Sequence, residues 1–124
     1  MKAVELSVVV PVYNEVKILA ELLGRILNSC AISGRTFEVV VVDDASTDGT
    51  REFLRDVHDG ITIRAVFNST NLGQFRSTQA GLLASKGQYV ISLDGDLQDP
   101  PELIETMLQR FNEGFEIVYG VRDD

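Results

Sequence analysis

A single cysteine, three prolines and no tryptophan leave this 124-residue chain without several common structural devices. Cys30 has no partner for an internal disulfide, so a reducing, cytosolic setting is expected. No apolar run exceeds a few residues, which excludes a bilayer span within the sequence. The start, Met1-Lys2-Ala3-Val4-Glu5, lacks the apolar stretch of a secretion signal. Positive charge is also scarce, with 11 lysines and arginines against 19 acids and a net charge of −8. A phosphate backbone is not attracted to such a chain, so general nucleic-acid binding is disfavoured and docking on an anionic membrane is weakened. There are no repeats and no low-complexity or linker-like stretches. What is present, 44% apolar and 24% charged residues, is the composition of one globular domain that can bury a core without crosslinks.

The apolar pattern alternates between two periods. Leu6 to Val12 and Phe37 to Val42 are nearly continuous β-rich runs, as in strands buried on both faces. Ile61 to Phe67, Tyr89 to Leu93 and Glu116 to Val121 complete five expected strands. Helices are expected over Val16 to Cys30, over Thr47 to Val57 with Ser46 or Thr47 as cap, and over Gly73 to Lys86 closed by Gly87. A last helix begins near Pro101 and carries Ile104, Met107, Leu108 and Phe111 on one face. This βαβαβαβαβ order predicts an α/β fold, a mainly parallel sheet with helices on both faces. Ligands of such sheets bind beyond the carboxyl ends of the strands, where the strand order reverses.

Acids and small polar groups gather at those ends. Asp43, Asp44 and Asp48 follow the second strand, and Asp94, Asp96 and Asp99 follow the fourth. No lysine lies in the four loops, and the nearby arginines are Arg51 and Arg76. Converging carboxylates repel, and a divalent cation relieves this; oxygen donors suit Mg²⁺ or Mn²⁺. The Asp94-Gly95-Asp96 triplet can address a metal and a sugar or ribose hydroxyl, although a solvated turn with Asp99 as helix cap is the plainer alternative. Asp43-Asp44 reads equally as turn chemistry or as an acceptor for a nucleobase or ribose. Asn71-Leu72-Gly73-Gln74 offers backbone N–H groups to an anion, or is an ordinary helix start, the simpler alternative. An EF-hand is excluded by Asp99 at the sixth loop position, and no Gly-rich phosphate loop follows the first strand. His58 is expected to cap its helix or face solvent and is given no functional role, Cys30 is expected in the core, and Tyr89 and Phe111 read as packing residues. Arg122 faces a diphosphate or simply pairs with Asp123 or Asp124.

Four segments carry a further signal: VVVPVYNE (Val8 to Glu15), VVDDASTDGT (Val41 to Thr50), NLGQ (Asn71 to Gln74) and LDGDLQDPPE (Leu93 to Glu102). In this order and spacing the chain resembles the family 2 glycosyltransferases, nucleotide-diphospho-sugar transferases of the Rossmann-like GT-A fold. DLQDPPE with the later GFEIVYGVR (Gly114 to Arg122) is similar to the branch that places sugars on polyprenyl phosphates. The resemblance implies that Pro11, Tyr13 and Glu15 border the nucleobase and ribose and that Asp44 holds the base. It places Asp94 by the ribose and sugar, and Asp96 and Gln98 on the Mg²⁺ or Mn²⁺ that bridges the phosphates. Asp94 and Asp96 are then the catalytic candidates, and Arg122 approaches the diphosphate or the acceptor phosphate. The implied partners are a UDP- or GDP-sugar and a polyprenyl phosphate, with inversion at the anomeric carbon and a site on the cytoplasmic face of a membrane.

Family members are about twice as long or longer, so residues 1–124 are expected to be the donor-binding domain without its acceptor half. A fourth strand left as an unpaired apolar edge predicts self-association. Two alternatives remain: a nucleotide-sugar-binding fragment without catalysis, and a receiver-like signalling domain. The second is disfavoured because its acidic pair follows strand one and its lysine follows strand five, where this chain has Arg122.

Overall fold

The computed structural model describes residues 3–94, 101–112 and 117–119. The element order is β1 (Leu6–Val12), α1 (Val16–Ile32), β2 (Phe37–Asp43), α2 (Thr50–Val57), β3 (Ile63–Phe67), α3 (Gln74–Ala84), β4 (Tyr89–Ser92), α4 (Leu103–Asn112) and β5 (Ile117–Tyr119). The strands form one parallel sheet in the order β3-β2-β1-β4-β5. The order reverses between β1 and β4, so the switch-point crevice opens there. A receiver-like domain would have the order 2-1-3-4-5, so that alternative is overturned by topology.

Period-two side chains sort the core into two layers. Leu6, Val8, Val10 and Val12 of β1 and Val39 and Val41 of β2 pack with Leu19, Leu23 and Ile26 of α1, Leu54 of α2, and Ile104, Met107 and Leu108 of α4. Val9, Val40 and Val42 face the other way, against Ala80, Leu82 and Ala84 of α3. Helices therefore cover both faces, as expected. A Cβ on Gly81 would stand 2.3 Å from Val9 Cγ1, so α3 lies against the sheet through a residue with no side chain. Cys30 is buried in the core, and burial pushes its thiol up to about 12, which leaves it inert at neutral pH. Phe111 lies outside the described side chains.

Several boundaries differ from expectation for local reasons. α2 starts at Thr50 behind Gly49 (φ +105°), not at Thr47. Ser46 and Thr47 are used elsewhere: Ser46 Oγ accepts the Asn14 N–H at 2.9 Å, and the Thr47 N–H donates to Asn14 Oδ1 at 2.8 Å. α3 ends at Ala84 with Ser85 as cap, and Gly87 is not its terminator. Instead Gly87 lies on β1, where an added Cβ would stand 2.6 Å from the Ser7 N. β3 begins at Ile63 because Asp59 Oδ1 gathers the N–H groups of Ile61, Thr62 and Ile63 into a turn. His58 caps α2, as expected, its N–H donating to the Leu54 carbonyl at 2.9 Å, and its Nδ1 also accepts the Ala65 N–H at 2.9 Å. With Asp59 it occupies two amides of edge strand β3, those of Ile63 and Ala65.

The bare edge expected at the fourth strand does not exist. β5 pairs with β4 through Val90–Ile117, Ile91–Val118 and Ser92–Tyr119, which removes the ground for self-association there.

Below the sheet, at the amino ends of its strands, Glu38 is buried with Ser7. It accepts the Ser7 hydroxyl (2.6 Å), the Lys86 N–H (2.6 Å) and Arg64 Nη1 (2.7 Å). Burial pushes its carboxyl up, but these three donors outweigh burial and hold it below the ordinary range. A depressed carboxyl stabilises the fold fully above its unfolded pKa, about 4.3, and loses that effect as pH falls through the folded value. Urea midpoints should therefore be flat from pH 8 to 5 and drop in more acidic buffer. Glu38→Gln is expected to be less stable at pH 7 and to show a shallower acid drop; an unchanged acid limb would assign that drop to other groups.

Candidate functional site

The carboxyl ends of β1, β2 and β4 and the start of α3 enclose one cavity of about 230 Å³. Its lining is Pro11, Val12, Tyr13, Glu15, Asp44, Gln74, Ser77 and Asp94. The structure thus brings together Pro11, Tyr13, Glu15, Asp44 and Asp94, five of the residues singled out in the sequence. Asp96, Gln98 and Arg122 lie outside the described residues.

The first wall is the β1–α1 loop, in which Asn14 takes φ +53°. It is stitched to the β2–α2 loop by the two Asn14 bonds above and two more. The Glu15 N–H donates to Thr50 Oγ1 (3.1 Å) at the start of α2 and the Val16 N–H to Asp48 Oδ2 (3.2 Å), so two amides at the entry to α1 are met from the β2–α2 connection. Desolvation pushes the Asp48 carboxyl up, yet the Thr50 hydroxyl and the amides of Thr50 and Val16 bring it below the ordinary range. Tyr13 stands at the rim, 47% exposed.

Asp43 and Asp44 divide their duties. Asp43 is wholly buried, accepts the Ser46 N–H at 3.3 Å, and faces Arg51 Nε at 3.3 Å without the alignment of a hydrogen bond. Arg51 itself lies over the Phe67 ring, 5.1 Å from its centroid. Asp44 is only 4% exposed but reaches the cavity. Its Oδ1 accepts the Leu72 N–H (2.7 Å) and Asn68 Nδ2 (3.0 Å), and its Oδ2 accepts the Gly73 N–H (2.9 Å). Burial raises its pKa, and these donors with the Ser77 hydroxyl lower it further than burial raises it. The amides at the start of α3 do bind an anion, but that anion is Asp44 of the same chain.

The far wall is Asp94, just past β4, whose Oδ1 accepts a hydrogen bond from Gln74 Nε2. Gln74 belongs to the Asn71–Gln74 segment read for its backbone amides; its side chain, with Ser77 and Asn68, is what the structure adds to the site. Ser77, at 0% exposure in α3, requires a polar partner, and Asn68 Nδ2 reaches it at 3.1 Å; without a strong apolar stripe on α3, the sequence carries no signal for it.

The described lining offers carboxylate, amide and hydroxyl oxygens and no thiol or imidazole, a donor set for Mg²⁺ or Mn²⁺ and not for zinc. Among the described residues no three carboxylate, histidine or cysteine groups cluster as a complete metal site. The described helices include none long and apolar enough to cross a membrane.

The sequence profile of glycosyl transferase family 2 matches residues 7–124. An undecaprenyl-phosphate 4-deoxy-4-formamido-L-arabinose transferase of Pseudomonas paraeruginosa is 44% identical over 120 residues, which cover 95% of this chain and 35% of that enzyme. The enzyme of the same name from Edwardsiella ictaluri is 42% identical over 120 residues, covering 95% of this chain and 37% of its own. The chain therefore spans little more than a third of the length of these curated relatives. S. aureus TarS 1–349 in complex with UDP-GlcNAc has a TM-score of 0.65 at 30% identity, over 88% of this chain and 31% of that one. A mannosyltransferase of Pyrobaculum calidifontis in complex with GDP-Man and Mn²⁺ has a TM-score of 0.65 at 30% identity, over 77% of this chain and 28% of that one. The parallel sheet with helices on both faces is the GT-A arrangement of these neighbours.

Proposed function

Because the chain belongs to glycosyl transferase family 2, we propose that residues 1–124 are the donor-binding part of an inverting sugar transferase, one that moves a sugar from a UDP- or GDP-sugar to a polyprenyl phosphate. The observation that carries this reading is the convergence of Pro11, Tyr13, Glu15, Asp44 and Asp94 on one cavity at the reversal of strand order. It is supported by relatives named for undecaprenyl phosphate and by neighbours that hold UDP-GlcNAc or GDP-Man with Mn²⁺.

Asp44 is surrounded by donors and stays ionised at neutral pH, so it acts only as an acceptor. It selects a base that presents a ring N–H, as uracil and guanine do, over cytosine and adenine, which present a lone pair. Pro11, Tyr13 and Glu15 border the base and ribose, and Asp94 accepts from ribose or sugar hydroxyls. Asp96 and Gln98 would hold Mg²⁺ or Mn²⁺, with Arg122 towards the diphosphate or the acceptor phosphate. When bound, that ion supplies positive charge opposite the leaving diphosphate. The acceptor phosphate approaches the anomeric carbon opposite the leaving group, hence inversion. It arrives as an anion, so no carboxylate of this chain is required as general base. The full-length enzyme would work at the cytoplasmic face of a membrane.

Calorimetry on this chain with UDP-GlcNAc and GDP-Man tests the reading. One of them is expected to bind in Mn²⁺ and to weaken at least about tenfold in EDTA, or about 1.4 kcal/mol. Asp96→Ala should reproduce the EDTA result in the presence of metal. Equal affinity in EDTA would remove the metal from the scheme, and no binding of either compound would remove the donor site. Binding without transfer to undecaprenyl phosphate favours a donor module whose acceptor machinery lies elsewhere, a reading consistent with the 35% of the relative's length that is covered.

A further inference from the structure

Residues 60–93 contain no aspartate or glutamate, although the chain has 19 acids and a net charge of −8. The same stretch carries four of the six large apolar side chains exposed among the described residues: Ile61, Leu72, Phe75 and Leu83. α3 lies within it, with its bulk on the water side. Ser77, Ala80, Gly81 and Ala84, all small, meet the sheet, as the close approach to Val9 requires. Phe75 (76% exposed) and Leu83 (88% exposed) stand with Gln79 at every fourth residue, along one line of the outer surface. Packing within the chain gives no reason for large apolar groups there. Arg64 of this stretch is spent on Glu38, but Arg76 and Lys86 are exposed and form no ion pair among the described residues.

We propose that the outer face of α3 docks on the surface of a bilayer that contains anionic phospholipid. Phe75 and Leu83 enter the boundary between headgroups and acyl chains, and Arg76 and Lys86 meet lipid phosphates. The acidity of the chain as a whole does not oppose this. The exposed acids Glu21, Glu52, Asp56 and Glu105 sit on α1, α2 and α4, across the sheet from α3. A helix is about 10 Å across and salt screens charge within about 8 Å, so their field at the outer surface of α3 is weak. The inference goes beyond the donor-site reading and does not depend on it.

The test is flotation with vesicles of phosphatidylcholine alone and of phosphatidylcholine mixed with phosphatidylglycerol. The chain is expected to float with the mixed vesicles, to lose most of that binding in high salt, and to bind the neutral vesicles weakly. Phe75→Ser combined with Leu83→Ser should weaken binding at least about tenfold. Arg76→Glu should weaken it at least about fivefold, on the mixed vesicles only. Ile32→Ser removes another exposed apolar group, at the end of α1 on the opposite side of the sheet, and should change nothing. All four positions are exposed, so the variants should melt with the wild type. No flotation with the mixed vesicles, or an equal loss with Ile32→Ser, overturns the proposal. So does a dimer in sedimentation velocity that the Phe75 and Leu83 variant abolishes while its vesicle binding stays unchanged, which would give this face to a second copy of the chain. Calorimetry with UDP and GDP keeps the two readings apart: absent vesicle binding with intact nucleotide binding sinks this inference alone, and the converse sinks only the donor site.

Discussion

Asp44→Ala is expected to lower affinity for the cognate nucleotide about a hundredfold and to destabilise the fold by about 2–4 kcal/mol. The second effect comes from what the carboxylate holds. The Leu72 and Gly73 amides and the Asn68 side chain all donate to it, in a site only 4% exposed. Removing the acceptor leaves buried donors unmet, at about 1–3 kcal/mol for each group that water cannot reach. The first effect adds the loss of the proposed base contact to the loosening of residues 72 and 73, whose amides Asp44 holds beside the cavity. Asp44→Asn separates the two. It keeps one acceptor for the loop but turns a donor towards the base, so it should recover part of the stability and little of the affinity. Urea unfolding and calorimetry on both variants decide it; an alanine variant that is as stable as the wild type would show that Asp44 does not anchor the loop.

Among the described glycines, Gly87→Ala should be the most damaging substitution. The new Cβ would meet Ser7 Oγ at 2.5 Å, the Ser7 N at 2.6 Å and the Leu6 carbonyl carbon at 2.8 Å, all on the central strand. Backbone at that distance cannot step aside as a side-chain tip can. Either β1 shifts against β4 or the α3–β4 connection lifts, and the Gly87 N–H to Ser7 Oγ bond of 2.8 Å is lost with it. Overpacking of this kind costs about 1–3 kcal/mol and occasionally more, and the upper end is expected here. A fall in the urea midpoint of less than about 1 kcal/mol equivalent would mean that the connection has slack that the structure does not show.

Much of the sheet was legible because the Val runs of β1 and β2 are buried on both faces, so apolar continuity alone marks them. The cavity was legible as a cluster of polar residues after strands, since a parallel sheet puts all such loops on one edge. Other features resisted for equally physical reasons. Ser46 and Thr47 have the chemistry of helix caps, and only the folded chain reveals that Asn14 takes both. Gly87 follows a helix and resembles a terminator, but its lack of a side chain serves β1. Gln74 and Ser77 sit in a helix whose face is chosen by tertiary packing, not by a strong apolar stripe. The pairing of β5 with β4 depends on long-range order that no local pattern encodes.

The stitching of the β1–α1 and β2–α2 loops bears on how the protein can be re-engineered. Asn14, Ser46, Thr47, Asp48 and Thr50 exchange hydrogen bonds across a gap of more than 30 residues. The two loops therefore form one heritable cassette. A chimera that borrows one from another family member and keeps the other would unpick the seam, whereas transplanting both together carries the wall of the cavity intact.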